Sequence, residues 1–347
     1  MSYELRSLSN DEEINYDLSE ETVETAYGPI RVVIYGDKTK KPIISFHDIG
    51  LDANGNFQNF FQFGTATELN DSFCVFNINA PGQEADAKPF PLEYEFPSME
   101  GLVDVIDSVV RHFNIKYFIG FGVGAGANVL LRYTLKNQSK VEALVLINAV
   151  ISRAGWIEWG YEKLNIKSLR STGMNNFVVE YLLWHYLGKR FDEVNPEVIS
   201  QYRTMIYTHP NPGNLAMYME AYLNRTEIIV QQPANGSVSS PNHPILKVPV
   251  LQLVGSRSAF IEETVDLHSK LDPARSEWIK ISDCSGLVLD DKPEKVTESL
   301  LLFLQGLGYF TQLNVRKVVD KLSESYEYGR SNVCGIEAVN EHNHSAF

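Results

Sequence analysis

A glycine-rich turn between a strand-like run and a helix-like run has the clearest potential for chemistry in this sequence. Residues 121–127 read FGVGAGA. In a nucleophile elbow, Gly-x-Ser-x-Gly, a sharp strand-to-helix turn strains the central serine and exposes its hydroxyl. Here Gly122 and Gly126 occupy the flanking positions, and Gly124 occupies the position of the serine. Because glycine adopts a positive φ without strain, we predict that the turn forms without a nucleophile.

The same turn has two other interpretations. A dinucleotide fingerprint needs Gly-x-Gly-x-x-Gly in the first βαβ unit, with an acidic residue after the next strand. This turn reads Gly-x-Gly-x-Gly, lies near the fourth or fifth predicted strand, and the following strand ends in Asn148. A purely structural tight turn is compatible with the elbow. We therefore favour the elbow and predict no cofactor.

The elements that must position this turn alternate between strand and helix. Several runs rich in Val, Ile and Phe are apolar nearly throughout, which is typical of parallel strands covered on both faces. The runs are 31–35, 42–46, 73–78, 116–122, 142–148, 250–255 and 277–281. Helical spacing of apolar residues occurs in 97–113 and 125–136. This alternation predicts a mostly parallel α/β sheet flanked by helices.

The pattern changes after residue 150, which suggests a division of the chain. From about 151 to 230 there is no strand-like run, and an aromatic-rich helical pattern indicates an inserted cap. We expect an acidic N-terminal segment at 1–28, a core at 29–150 and 245–310, and a helical cap with its linker at 151–244. The tail at 311–347 is predicted to form a short helix and then to be disordered.

The other two positions of a catalytic triad also lack suitable side chains. The acid should follow the 250–255 strand by a few residues, where approximately Ser258 stands. The histidine should precede Pro293 by seven residues, which gives Gly286. Loss of one triad member costs about 10⁴ in rate or more. With Gly124 at the nucleophile position, we predict that the chain is not an enzyme of the usual serine-hydrolase type.

The order of motifs is similar to that of an α/β-hydrolase, with HDIG at 47–50 in the place of an oxyanion loop. More narrowly, the chain resembles the N-myc downstream-regulated (NDRG) family over roughly residues 15–310. The matching segments are 47–50, 122–127, 154–159, 269–273 and 303–309. The tail lacks the repeated decapeptides of some members. The resemblance implies an α/β-hydrolase fold with an inserted helical cap. It also implies a cytoplasmic pseudoenzyme in signal transduction, differentiation or stress response.

Five residues are expected to line a pseudo-active-site pocket: His47, Asp48, Gly124, Ala125 and Gly286. The first N–H groups of the helix after the turn should be free there, so we expect a small-molecule or lipid head-group ligand. The alternative is a weak or rewired esterase-type hydrolase that uses residues outside the triad positions. Its candidates are Ser45, His47, Asp48, His268 and Cys284.

Composition restricts the partners. The net charge of −14 disfavours non-specific binding to nucleic acid or to an anionic membrane surface. Three cysteines, no signal peptide pattern and no apolar run of about 18 residues predict a cytoplasmic protein that is not an integral membrane protein. The eight histidines are scattered, and no metal site is predicted. Protein partners are expected, with Trp156, Trp159 and Trp184 of the cap as candidate anchors, unless these rings pack on the sheet.

Overall fold

A computed structural model describes residues 18–320, except 63–68, 70, 92, 189–192 and 234–243, and residue 323. Within this part of the chain, eight strands form one sheet in the order β1-β2-β4-β3-β5-β6-β7-β8. The strands are β1 Leu18–Thr25, β2 Gly28–Tyr35, β3 Lys41–Phe46, β4 Phe73–Ile78, β5 Phe118–Val123, β6 Val141–Ile147, β7 Val250–Gly255 and β8 Ser276–Ile281. The β1–β2 and β2–β4 pairs are antiparallel, and the other neighbours are parallel.

Helices cover both faces of the sheet, and four of them form the cap between β6 and β7. The helices are α1 Ala53–Gln62, α2 Leu102–His112, α3 Ala125–Lys136, α4 Trp156–Ser171, α5 Asn176–Leu187, α6 Pro196–Tyr207, α7 Pro212–Leu223, α8 Ile261–Ser269, α9 Val288–Asp291 and α10 Pro293–Gly306. Alternate residues of one strand enter different cores: Ile44 faces the layer with α2, α3 and the cap, and Ile43 faces the layer with α1 and α10. Burial on both faces explains why the central strands are apolar throughout.

The predicted fold class is confirmed, and two features extend it. The sheet begins at Leu18, inside the segment 1–28 that the sequence pattern separates from the core. β1 is an edge strand of mostly polar residues in which only Val23 is buried, so it carries no apolar signal. In the predicted tail, residues 315–320 are helical, and Val315, Val318 and Val319 pack on the second core. The acidic residues before 18 and the tail beyond 323 lie outside the described residues.

Three asparagines determine where the cap helices begin. The side chains of Asn175, Asn195 and Asn211 each accept hydrogen bonds from the first-turn N–H groups of α5, α6 and α7. Proline stands at the first helical position of α6 and α7, where its missing N–H is not needed. The local sequence therefore sets the start of each helix before any packing against the core.

The elbow depends on a backbone contact between β3 and α3. A Cβ on Gly126 would lie 1.9 Å from the carbonyl oxygen of Phe46, and one on Gly122 would lie 2.6 Å from Cα of Ala127. Helix α3 therefore crosses β3 and β5 at a distance that only glycine allows, which fixes the turn between β5 and α3.

Gly126→Ala is expected to destabilise the fold by about 1–3 kcal/mol, because the backbone of β3 must move to admit the methyl group. Gly160→Ala is a matched control in α4, since a Cβ there meets nothing within 4 Å. This control should stabilise the protein by about 0.5–1 kcal/mol through higher helix propensity. Urea unfolding of the three proteins measures both effects, and equal stability of the Gly126 variant and the parent would contradict the close approach.

Candidate functional site at the strand-to-helix elbow

The elbow follows β5 and has the backbone conformation expected for it. Gly124 has φ 51° and ψ −113°, and α3 begins at the next residue. This φ lies in the region that glycine enters without a Cβ penalty. The N–H of Gly124 donates to the carbonyl of Ile147 in β6 at 2.9 Å. The elbow therefore forms, and its first N–H is already bonded within the sheet.

The side chain of Asp48 occupies the space at the nucleophile position. A Cβ on Gly124 would lie 2.1 Å from Cγ of Asp48 and 2.2 Å from either carboxylate oxygen. Oδ1 of Asp48 accepts hydrogen bonds from the N–H groups of Ala125 and Ile49, both at 2.8 Å. A carboxylate at the first N–H of α3 also interacts favourably with the helix dipole. The helix N-terminus thus binds an anion supplied by the protein itself.

The second oxygen of this carboxylate contacts the cap. Oδ2 of Asp48 accepts a hydrogen bond from Nε2 of His185, in α5, at 2.9 Å. The imidazole of His185 is 2% exposed and packs edge-on against Phe260 at a centroid distance of 4.8 Å. Burial by itself lowers the pKa of His185, but the adjacent Asp48 outweighs it, and the pKa is raised above its usual value.

His47 points away from the elbow and holds neighbouring loops together. Its Nδ1–H donates to the carbonyl of Asp48 at 2.7 Å, and its Nε2 accepts from the N–H of Ala80 at 2.9 Å. Burial lowers the pKa of His47 to about 4, so the ring is neutral near pH 7. With both nitrogens bonded to the backbone, this histidine has no free lone pair for a general base.

The acid and histidine positions are joined by Asn148. Oδ1 of Asn148 accepts from the hydroxyl of Ser258 at 2.9 Å, and Nδ2 donates to the carbonyl of Gly286 at 2.8 Å. A Cβ on Gly286 would lie 2.3 Å from the carbonyl oxygen of Tyr186, so the loop has no room for a side chain there. Asn148, with φ 51°, therefore bridges the loops at the two positions through its side-chain amide.

Of the five predicted pocket residues, Asp48 contacts Gly124 and Ala125 directly, His47 precedes Asp48 in the chain, and Gly286 is bonded instead to Asn148. The expectation of free N–H groups is wrong for both Gly124 and Ala125, because Ile147 and Asp48 accept those hydrogen bonds. His47 is fully buried, and Asp48 is 3% exposed. Two surface cavities of about 400 and 790 Å³ lie elsewhere, beside the start of β6 and between the 89–98 loop and the cap.

The remaining candidate nucleophiles are also engaged in the core. Ser45 donates to Oδ1 of Asn77 at 2.5 Å, away from the elbow. Cys284 is buried, and burial raises the pKa of its thiol, so the thiolate is disfavoured. Within the described residues, no group of three His, Cys, Asp or Glu side chains is arranged to hold a metal ion.

The cap tryptophans differ in exposure. Trp156 at the start of α4 is 90% exposed, Trp159 is 45% exposed, and Trp184 in α5 is 38% exposed. Ile157, beside the first of them, is 77% exposed. These rings do not pack on the sheet, so an apolar surface is available on the cap.

Comparison with known proteins agrees with this arrangement. The sequence profile of the Ndr family matches residues 20–311. The chain belongs to the Ndr family. It is 34% identical to protein NDRG3 of Xenopus laevis over 313 residues, covering 90% of this chain and 81% of the relative. It is 36% identical to human protein NDRG2 over 290 residues, covering 83% of this chain and 74% of the relative.

Solved structures similar to this Ndr-family chain are α/β-hydrolases. A thermophilic esterase from Thermogutta terrifontis has a TM-score of 0.67 at 21% identity, covering 83% of this chain and 98% of the esterase. The enol-lactonase from Burkholderia xenovorans LB400 has a TM-score of 0.65 at 15% identity, covering 82% of this chain and 100% of the lactonase. At these identities the likeness establishes the fold alone. None of the described helices is long and apolar enough to cross a membrane.

His185 is the functional-site residue that sequence reasoning missed. It lies in the apolar helix α5, of which the sequence singles out only Trp184, as a candidate partner anchor. The one available signal was a single histidine between Trp184 and Tyr186 in a run that is otherwise apolar apart from Glu180. Its partner Asp48 is 137 residues away in sequence, and nothing local connects them.

Gly124→Ser should not create a nucleophile, because the new side chain meets the carboxylate of Asp48. We expect a loss of about 1–3 kcal/mol of stability. Asp48→Ala is also destabilising, since it leaves His185 and the Ala125 N–H without their acceptor. The steric clash is absent in the double variant. Its loss of stability should therefore be smaller, by about 0.5–3 kcal/mol, than the sum of the losses of the two single variants.

Urea unfolding of the parent, the two single variants and the double variant measures this coupling. Additive losses would mean that Asp48 moves aside without cost, and the account of a filled nucleophile position would then be wrong.

Proposed function

We propose that this Ndr-family chain is a pseudoenzyme that acts as a cytoplasmic adaptor in signal transduction connected with differentiation or stress response. The observation that carries the proposal is the Asp48 carboxylate at the nucleophile position of Gly124. A substrate carbonyl needs both a nucleophile and free oxyanion donors at this place. Here the nucleophile position is filled, and the N–H of Ala125 is bonded to Asp48.

The size of the rate enhancement that remains without a triad supports a role other than ester hydrolysis. An intact oxyanion site without its triad retains about 10³–10⁴-fold over the uncatalysed reaction, which is negligible for an ester. In this chain the N–H groups of Gly124 and Ala125 at the elbow already donate hydrogen bonds within the protein. The main source of that remaining rate enhancement is therefore absent as well. The proposal includes no small-molecule or lipid head-group ligand at the elbow, because the N–H groups that would bind it are already bonded to Ile147 and Asp48.

The cap supplies the surface for protein partners. Tryptophans are enriched among the residues that contribute most to binding, and a contiguous exposed apolar patch often marks an interaction site. Trp156 and Trp159 stand on the first turn of α4, beside the exposed Ile157. We therefore assign partner binding to this turn, with the less exposed Trp184 of α5 as a second contact.

A rewired hydrolase is the second candidate, and one observation favours it. His185 donates to Asp48 at 2.9 Å, which is the geometry of a general base held by a carboxylate. A hydrolase of this kind would activate water directly, since no hydroxyl or thiol nucleophile has been found at the elbow. His185 is buried, however, and water could reach it only after the cap moves.

We expect purified protein to show no turnover of short-chain chromogenic esters above background. His185→Gln and Asp48→Asn test the rewired site, because each removes one member of the pair. His112→Gln is the control, since His112 lies on the exposed surface beside Glu21. Turnover that disappears in the first two variants and persists in the control would establish the rewired hydrolase and overturn the pseudoenzyme proposal.

Replacing Trp156 and Trp159 together by alanine should weaken partner binding about tenfold or more, which corresponds to about 1.4 kcal/mol or more. Tyr207→Ala is the matched control, because this ring is 42% exposed but lies at the end of α6. Quantitative co-purification compares the two variants with the parent at equal stability. Retention of every partner by the double tryptophan variant would contradict the assignment.

A further inference from the structure

Ionisable side chains, most of them buried, meet between the α4–α5 pair, the end of α7 and the elbow. We call Glu158, Glu162, Tyr181, His185 and Arg225 the cap cluster. Glu158 and Glu162 come from α4, Tyr181 and His185 come from α5, and Arg225 follows α7. The hydrogen bond between His185 and Asp48 joins the cluster to the elbow.

Glu162 is the member whose carboxylate is least well satisfied. It is 0% exposed. Its Oε1 accepts a hydrogen bond from the hydroxyl of Tyr181 at 2.8 Å, whereas its Oε2 is buried without a hydrogen-bond partner. A buried carboxylate that has one donor strongly prefers the neutral form, which needs less solvation and can itself donate a proton.

The guanidinium of Arg225 pairs with Glu158 and not with Glu162. Arg225 donates to Oε1 of Glu158 at 2.7 Å and to the carbonyls of Ser152 and Tyr222. Glu158 lies one turn before Glu162 on the same helix, so the two carboxylates repel each other.

Other groups around the pair complete the electrostatic environment. Glu263 of α8 interacts with Glu158 and Arg225, and the buried phenol of Tyr222 lies beside His185. Asp48 is the carboxylate that directly contacts His185. Around His185 and Glu162, ionised carboxylates therefore outnumber positive charges unless these two groups bind protons.

We propose that packing of the α4–α5 pair onto α7 and the elbow is coupled to proton uptake, with Glu162 and His185 as the two proton-binding groups. Low pH tightens this packing, and rising pH loosens it. Loosening withdraws His185 from Asp48 and gives water access to the N-terminus of α3. The two proton-binding groups, Glu162 and His185, are buried, whereas the tryptophans proposed to bind partners are exposed on the same two helices.

The directions of the two pKa shifts agree with one another. Burial raises the pKa of Glu162 to about 7, and repulsion by Glu158 adds to this effect. The packed state therefore takes up a proton between pH 4.5, the usual pKa of a glutamate, and about 7. For His185 the pKa in the packed state is raised above 6.5, because Asp48 and Glu162 outweigh burial. Its contribution is complete below pH 6.5 and is lost as pH rises through the higher value.

Hydrogen exchange measured by mass spectrometry between pH 5 and 8 tests the coupling. The readout is the protection factor of amides in α4 and α5 divided by that of amides in β5 and β6 of the same sample. One bound proton makes this ratio fall about tenfold per pH unit. We expect that slope from pH 5 to about 7 in the parent protein, and a further fall above pH 6.5 from His185.

Two variants show which group causes each part of the pH dependence of the protection ratio. Glu162→Gln keeps an acceptor for Tyr181 but cannot ionise, so its ratio should be flat up to pH 6.5. His185→Gln should keep the slope of one proton up to about pH 7 and lose the additional fall that His185 gives above pH 6.5. Glu180→Gln is the control, because this exposed carboxylate of α5 pairs only with Arg203 among the described contacts, and its profile should match the parent.

Tyr181→Phe provides a test that does not require loss of the carboxylate. It removes the donor to Oε1 of Glu162, so the pKa of Glu162 should rise and the end of the slope should move to higher pH.

A flat ratio in the parent, or an unchanged slope in both Glu162→Gln and His185→Gln, would overturn the proposal. Either result leaves the adaptor role unaffected, because that role is tested by the exposed tryptophans.

Discussion

The carboxylate of Asp48 is the interaction on which the rest of the site depends. It occupies the space of a nucleophile side chain at Gly124 and accepts hydrogen bonds from the N–H of Ala125 and from Nε2 of His185. One group thereby caps helix α3, fills the elbow and connects the core to the cap. A substrate of a serine hydrolase needs an open elbow, and here the Asp48 carboxylate fills that space.

The elbow keeps its shape for reasons that are independent of catalysis. Gly122 and Gly126 let the backbone of α3 approach β5 and β3, and a methyl group at either position would collide with backbone atoms. Asn148 likewise links the loops at Ser258 and Gly286 through both ends of its amide. The hydrolase geometry is therefore maintained by packing and hydrogen bonds that serve stability, which explains how the fold persists with glycine at the nucleophile position.

The sequence predicted the sheet well and the site only in part. The strands Phe73–Ile78 and Val250–Gly255 are apolar apart from Asn77 and Gln252, and the glycine spacing of the elbow is local, so both can be found without a structure. The strand Leu18–Thr25 was missed because an edge strand faces water and carries little hydrophobic signal. The free N–H groups were wrongly expected because the acceptor, Asp48, comes from a loop 77 residues away. Contacts of this kind depend on side-chain placement after folding.

The pairing of Asp48 with His185 raises the question of why a buried ion pair is present at all. Burying two charges costs several kcal/mol per ion, and apolar side chains of similar size would often give equal or better stability. Removing one partner of an existing pair is far more costly, since the other charge is then left without compensation. The contact between His185 and Asp48 therefore contributes to the position of α5 more than to stability, together with the hydrogen bond from Tyr186 of the same helix to the carbonyl of Ile49. A change in the charge of His185 alters this contact directly, because the histidine and the carboxylate are both buried.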